Sequence, residues 1–365
     1  MHDKSMLLKI AVDREAPVTR SWGADRTARR AMISDLRRRS AAVGARVVFA
    51  YEACGFGFLL RDELVAAGME CHVLAPSKMK RSVKARKRKT DERDAEAILD
   101  QLRAYLLAGV ALPSVWIPDV QTRDDREVVR QRLTTGEDGS RAKSRIRWLL
   151  KRNGIDPPAE KAWTQSYWNW LRVLVDKTLP SGAAGALGSL VRHWEWVEEE
   201  KAKLDAQVQA LSRTDRHAGP VAALMGQKGV GPVTAMVYLT EMGDLSRFRN
   251  RREVGSFLGL VPSSHESGEH ADRKGHITHQ GPARVRKVLC QAVWARIRTV
   301  ASERASYDRL VARNPKQKKV AVVARMRRLA VVLWHVGLPA QQAAKRKVKE
   351  AQKAKQAKPS KEVVP

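Results

Sequence analysis

Three acids stand where their chemistry could be used. Glu52 closes the apolar run Val47-Val48-Phe49 shortly before Gly55 and Gly57, and Asp91 and Asp94 open the segment KTDERDAEAI at a spacing of i and i+3. That spacing puts both aspartates on one face of a helix. Carboxylates are hard oxygen ligands suited to Mg²⁺, and a pair of such ions can activate a nucleophile and hold a leaving oxygen in phosphodiester chemistry. Six Lys or Arg lie within residues 81–90, and Lys84, Arg86, Lys87, Arg88 and Lys89 would draw a phosphodiester toward the acids. A first helical turn rich in acids also suits the helix dipole with no metal at all, so spacing alone leaves both roles open.

Two further constellations lie in the second half of the chain. Lys228-Gly229-Val230-Gly231-Pro232 has the form of a helix-hairpin-helix turn, whose glycines let backbone N–H groups approach a phosphate without reading bases. An ordinary glycine turn between helices would have the same spelling. The stretch GLVPSSHESGEHADRKGHITHQGPARVRKVL holds Ser263, Ser264 and Ser267, followed by Arg273, Lys274, Arg284, Arg286 and Lys287. Ser267 precedes a glycine, which gives a nucleophile the open backbone it needs to reach phosphorus, and the cations can stabilise charge developing on phosphoryl oxygens. His265, His270, His276 and His279 lack the cysteines and paired short spacings of a zinc site and read as loop contacts.

The elements that must position these residues can be traced from pattern. Leu7 to Val12 reads as a strand, and TARRAMISDLRRRSAA as a basic helix. ARVVFAYEACG, FGFLLRDELVAAG and MECHVLAP form a β-α-β unit with Glu52 at a strand's carboxyl end, where open α/β sheets present functional side chains. Thr90 is placed to cap the helix that carries Asp91 and Asp94. Between residues 151 and 218 the chain is helical, with a heptad seam of Leu187, Leu190, Trp194, Val197, Lys201, Leu204, Val208 and Leu211. The seam predicts a self-associating coiled coil, with an intramolecular hairpin as the alternative. The aromatic stretch Trp163, Tyr167, Trp168 and Trp170 reads as packing. The last stretch, from 339 to 365, is lysine-rich and low in complexity, as a disordered tail would be.

With 69 Lys and Arg against 39 Asp and Glu, the 365-residue chain carries a formal charge of +30, a field whose counterpart is a polyanion. No apolar run is long enough for a membrane span, and the first residues hold no signal-peptide core, so a cytoplasmic protein is expected. Cys54, Cys71 and Cys290 are odd in number and widely spaced, which excludes a disulfide framework and a cysteine zinc site.

Taken in order, YEACG, KTDERDAEAI, GVGPVTAMVYLTEMGDLSRFRN, SFLGLVPSSHESG, HITHQGPARVRKVL and VARMRRLAVVLWHVG resemble the blocks of one family. It is that of the DEDD transposases of bacterial insertion sequences of the one-hundred-and-ten and eleven-eleven type. The resemblance implies an α/β RNase H-like DEDD domain over residues 1–150, with its first strand truncated. It implies a helical or coiled-coil linker over 151–218, and a mostly α, serine-bearing transposase domain over 219–338 with the helix-hairpin-helix-like element. The family's glutamate falls on Glu52, its closing aspartates on Asp91 and Asp94, and its serine on Ser267. The family's first aspartate would fall one residue before Met1, and Asp3 is the nearest substitute. The resemblance further implies a composite site, in which Mg²⁺ on the carboxylates and the serine cooperate to cut and rejoin double-stranded DNA at element ends and targets through a transient phosphoserine. It also implies a guide, or bridge, RNA, a dimer or tetramer, and association with the nucleoid. A metal-dependent nuclease using water, and a DNA-binding remnant without catalysis, are the alternatives.

Overall fold

The structure is a computed structural model that describes residues 4–79, 90–158, 162–177, 179–264, 274–313 and 315–356. Two compact units divide the chain, residues 1–117 and 118–365.

The first unit is a mixed α/β body. Strands β1 (Ser5–Ile10) and β2 (Val18–Gly23) form an antiparallel pair in which Leu8 opposes Arg20. Helix α1 (Arg26–Val43) follows, capped by Asp25, whose side chain accepts from the Ala28 amide at 3.0 Å, and closed by Gly44 in the left-handed region. Then β3 (Val48–Glu52), α2 (Leu59–Ala66) and β4 (Glu70–Leu74) complete the expected β-α-β unit, with β3 and β4 parallel and Glu52 opposite Leu74. Helix α3 (Asp91–Ala108) packs against both β1 and β3. Met32, Leu64, Val73, Leu60 and Tyr51 are buried at the unit's centre, and Arg29 binds Glu63 through two nitrogens, at 2.7 and 3.1 Å, tying α1 to α2. Sequence reading missed β2, because VTRSWG follows a charged stretch and its edge carries an arginine and a serine.

Among its described residues the second unit is helical apart from one hairpin. Helix α4 (Val120–Arg152) runs through residue 150, where a domain boundary was expected, and the compact units part at Ile117 instead. It continues because residues 151–152 extend the same capped helix, and its partners lie further along the chain. Helices α5 (Gln165–Lys177) and α6 (Ser181–Ser212) pack back onto it. The pairing of α4 with α6 is antiparallel, since Arg132 meets Asp205 at 2.5 Å while Gly139 faces Val197. The heptad seam is therefore taken up within the chain: Leu187, Val197 and Val208 are buried, and Trp194 stacks on Trp168 with ring centroids 3.4 Å apart. The aromatic stretch is packing, as expected, with Tyr167 and Trp168 buried.

Helices α7 (Ala218–Met225), α8 (Pro232–Met242), α9 (Arg251–Phe257), α10 (Ala283–Thr299), α11 (Ala301–Arg313) and α12 (Lys318–Gln356) enclose a second, larger core. Strands β5 (Pro262–Ser264) and β6 (Lys274–Ile277) form the hairpin. Residues 339–356 are helical rather than a disordered tail. Their Ala, Lys and Gln content favours helix, and the first turns beyond Pro339 are docked. Gln341 accepts from the Leu245 amide and donates to the Gly243 carbonyl, both at 2.9 Å, and Lys345 meets Asp244 at 2.8 Å.

Candidate active site and nucleic-acid interface

The three acids of the first unit come to one cleft. Glu52 arrives at the carboxyl end of β3, and Asp91 and Asp94 arrive in the first turn of α3, where the Thr90 side chain accepts from the Arg93 amide at 3.4 Å. All three line a cleft of about 760 Å³. Glu52 and Asp94 are half-buried and Asp91 is exposed. Glu92, between the aspartates, is turned to Lys9 of β1 at 2.7 Å, and that hydrogen bond holds its carboxyl below the usual range. Lys9 thus anchors the first turn of α3 to the strand beside it.

Two more acids line the same cleft, Asp13 and Glu15, in the turn after β1. Asp13 takes a left-handed backbone with φ 45°, and Arg103 of α3 donates to the carbonyls of Asp13 and Glu15. A signal for Asp13 was present in the sequence: KIAVD ends in an acid just as VFAYE does.

The donor set suits a hard divalent cation in kind, yet no three His, Cys, Asp or Glu converge to hold one among the described residues. That is compatible with Mg²⁺, which keeps several waters and takes one or two carboxylates together with substrate phosphates rather than an all-protein cage. Lys84, Arg86, Lys87, Arg88 and Lys89 lie outside the described residues.

In the second unit the glycine turn joins α7 to α8. Gly229 has φ 82°, and a Cβ there would stand 2.8 Å from the Ala292 carbonyl oxygen, so only glycine fits. Gly231 caps α8 and Pro232 opens it. Arg296 donates to the Lys228 carbonyl at 3.0 Å while its other nitrogen holds Glu303 at 2.9 Å. A small cleft of about 370 Å³ lies beside the turn, lined by Lys228, Arg296 and Thr299 among others. Lys228 is exposed, and α8 is buried from Ala235 to Met242, so only the turn and the helix start can meet a ligand.

The hairpin that carries the serine loop is pinned at its base by two glycines. At Gly259, φ 62°, a Cβ would meet Gln280 backbone at 2.2 Å, and at Gly281, φ 78°, it would meet the Phe257 oxygen at 1.8 Å. Arg286 seals the crossing: its Nη1 donates to the carbonyls of Leu258, Gln280 and Gly281 at 3.1, 3.1 and 3.2 Å. Burial lowers its pKa. Arg286 was expected on DNA, and this guanidinium nitrogen is engaged with backbone. Ser263 Oγ donates to the His276 carbonyl across the strands at 3.0 Å. Ser267 and Arg273 lie outside the described residues, and the backbones of Ser264 and Lys274 pair at the open end of the hairpin. Arg284 is exposed at the start of α10, and Lys287 binds Glu137 at 2.7 Å.

Beneath this region Glu241 is buried among arginines. Burial alone would raise its pKa, but Arg130 grips it at 2.7 and 2.9 Å and holds it below the usual range. Arg126 donates to the Thr240 and Glu241 carbonyls at 2.6 and 3.2 Å. Arg247 lies over both Phe248 and Phe257, 4.2 and 4.3 Å from their centroids, and burial, with Arg126 close by, pulls it down to about 10. None of these arginines announced itself in the sequence, where the second unit's arginines look alike.

Two segments of the chain match family models of transposases. Residues 10–154 match the DEDD transposase family of the IS110 type, and residues 221–308 match the family described as Transposase IS116/IS110/IS902. A Sinorhizobium fredii protein named as transposase y4qE is 28% identical over 324 residues, 81% of this chain and 76% of its own. A family 20 transposase of Pseudomonas aeruginosa is 28% identical over 290 residues, 78% of this chain and 82% of its own. The transposase for insertion sequence element IS1533 of Leptospira borgpetersenii is 28% identical over 248 residues, 67% of this chain and 69% of its own.

Proposed function

The chain belongs to the IS116/IS110/IS902 family of transposases, and from that premise we propose that it cuts and rejoins insertion-sequence DNA by metal-assisted phosphoryl transfer with Ser267 as nucleophile. The observation that carries the reading is that Glu52, Asp91 and Asp94 line one cleft. These carboxylates would hold Mg²⁺, which when bound neutralises charge on phosphate oxygens and polarises phosphorus. The fold about them is read as RNase H-like, and the α7–α8 turn as a helix-hairpin-helix.

The protein's own groups do the rest. Ser267 Oγ gives up its proton and bonds to phosphorus as one ester bond of the backbone breaks, and the departing hydroxyl takes a proton. Attack of a DNA hydroxyl on the phosphoserine reverses the exchange and frees the serine. The turn amides after Gly229, with Lys228, Arg273, Lys274 and Arg284, hold the sugar-phosphate backbone without reading bases. Arg286 supports this surface by bracing the hairpin that presents the serine. The basic segment 84–89 brings DNA to the carboxylates. A guide RNA belongs to the same reading, supported by the charge of +30, and so does a dimer or tetramer, which rests on the family resemblance alone.

Three variants test it on double-stranded element ends with Mg²⁺: Glu52→Gln, Asp94→Asn and Ser267→Ala. Loss of cleavage in all three supports the reading. Cleavage retained by Ser267→Ala alone points to a nuclease using water. Salt-sensitive binding with no cleavage by the parent protein points to a DNA-binding remnant.

A further inference from the structure

Helix α12 leaves the core of the second unit at Ala344. Ala344 is buried, and beyond it every described side chain is exposed except that of Val348, which is half-buried. Residues 345–356 carry six Lys or Arg against one acid, Glu350. Lys345 is tied to Asp244 at 2.8 Å, whereas Arg346, Lys347, Lys349 and Lys353 meet no acid among the described residues.

Charge and conformation oppose each other in this segment. Lys345, Lys349 and Lys353 stand at i, i+4 and i+8, and like charges at that spacing repel along a helix face. The segment is helical all the same, because Ala, Lys and Gln are good helix formers and each turn adds to one already docked through Gln341 and Lys345. A bound polyanion would turn that repulsion into attraction. Val348 is the one apolar side chain here larger than alanine, so the segment has no apolar stripe for a partner helix. A second copy laid against it would set cations against cations.

We propose that residues 345–356 are a helical arm that lies in the major groove of double-stranded DNA, its cations meeting phosphates on both walls. A helix advances about 100° per residue, which sets Lys347 and Lys349 about 160° apart on opposite sides. Docking on the outside of a duplex would use one side of the helix, whereas a groove presents phosphates to both. With side chains a helix is about 10–12 Å across, and the major groove of B-DNA is about 12 Å wide. The major groove of A-form RNA is too narrow to admit it, so the partner is DNA. Twelve residues span about 18 Å, the length of about five base pairs. Lysines dominate the arm and serve phosphates as point charges, so the contact is independent of base sequence. The inference rests on the transposase reading for the presence of duplex DNA, and not on Mg²⁺ or Ser267.

The test measures Kd of the full chain for a duplex DNA of about 20 base pairs unrelated to any insertion sequence, and for duplex RNA of the same sequence, without metal, from about 50 to 200 mM salt. A variant with Arg346, Lys347, Lys349 and Lys353 all replaced by Gln should bind the DNA at least tenfold more weakly at about 0.1 M salt. Its slope of log K against log salt should fall by about 3 to 4. Lys347→Gln and Lys349→Gln alone should each reduce the slope by about 1. Tm should not fall in any of them, since these side chains are exposed. An unchanged slope in the fourfold variant overturns the arm and leaves the transposase reading standing. An effect confined to one of the two single variants overturns the groove, and an equal loss of affinity for duplex RNA overturns DNA as the partner. Because neither metal nor cleavage enters the measurement, a failure of the serine mechanism leaves these results unaltered.

Discussion

Glu52 and Asp94 line one cleft although the first closes a strand and the second opens a helix. Both reach that cleft because α3 packs against both β1 and β3, with Lys9 holding Glu92 at the helix start. Replacing Glu52 by Gln or Asp94 by Asn keeps size and most packing while removing charge. Each is expected to lower Mg²⁺-dependent cleavage by about a hundredfold or more, about 2.7 kcal/mol in the barrier. Circular dichroism should remain that of the parent. The control is Glu92→Gln, which loosens the tie to Lys9 and should cost cleavage far less.

The base of the serine hairpin offers a second test. Gly281→Ala puts a Cβ 1.8 Å from a carbonyl oxygen at a left-handed φ. It should destabilise the second unit by about 3 kcal/mol or more, since neither backbone can yield without breaking the crossing. Gly154→Ala has a similar φ, 65°, with open space around it, and should cost only about 1 kcal/mol. Denaturant melts of the two variants decide whether close approach, rather than backbone conformation alone, demands glycine at 281.

These positions mark what the sequence made legible. The β-α-β unit, the Thr90 cap and the strand-end position of Glu52 were readable, because each is a local pattern of period, cap and turn residue. Strand β2 was not, since an exposed hairpin strand needs no apolar alternation. Nor could the sequence say that the seam from Leu187 to Leu211 would find α4: a heptad records that a helix has a partner and not whose helix it is. Arg286 looked like a phosphate ligand because a cation in the first turn of a basic helix looks the same in sequence whether it faces solvent or three carbonyls. Composition suggested disorder after residue 339, but alanine and lysine also make good helix, and the docking of Gln341 on Gly243 and Leu245 is a tertiary contact.

Acid sensitivity should follow Glu241. Its folded pKa is held below the ordinary value of 4.5 by Arg130. Its contribution to stability is therefore present above that value and is lost as the pH falls through the folded pKa. Glu241→Gln is expected to cost about 2 kcal/mol at pH 7, a figure discounted because Arg130 is partly exposed. The variant's stability should then fall less steeply than the parent's below about pH 4.5. Tm measured from pH 7 to pH 3 checks both statements.

DNA binding should separate the two kinds of cation. Lys228→Ala is expected to weaken binding to all duplex sequences alike and to reduce the slope of log K against log salt by about 1. Arg286→Ala should lower Tm, because the carbonyls of Leu258, Gln280 and Gly281 lose their shared donor, with little change in that slope.

The most direct measurement looks for the covalent serine. The protein is incubated with end-labelled element DNA and Mg²⁺, quenched in denaturant, digested and mapped by mass spectrometry. The expected result is a nucleotide adduct on the peptide holding Ser267, absent from Ser267→Ala and from Asp94→Asn. Cleaved DNA with no adduct, and full cleavage by Ser267→Ala, would contradict the serine mechanism.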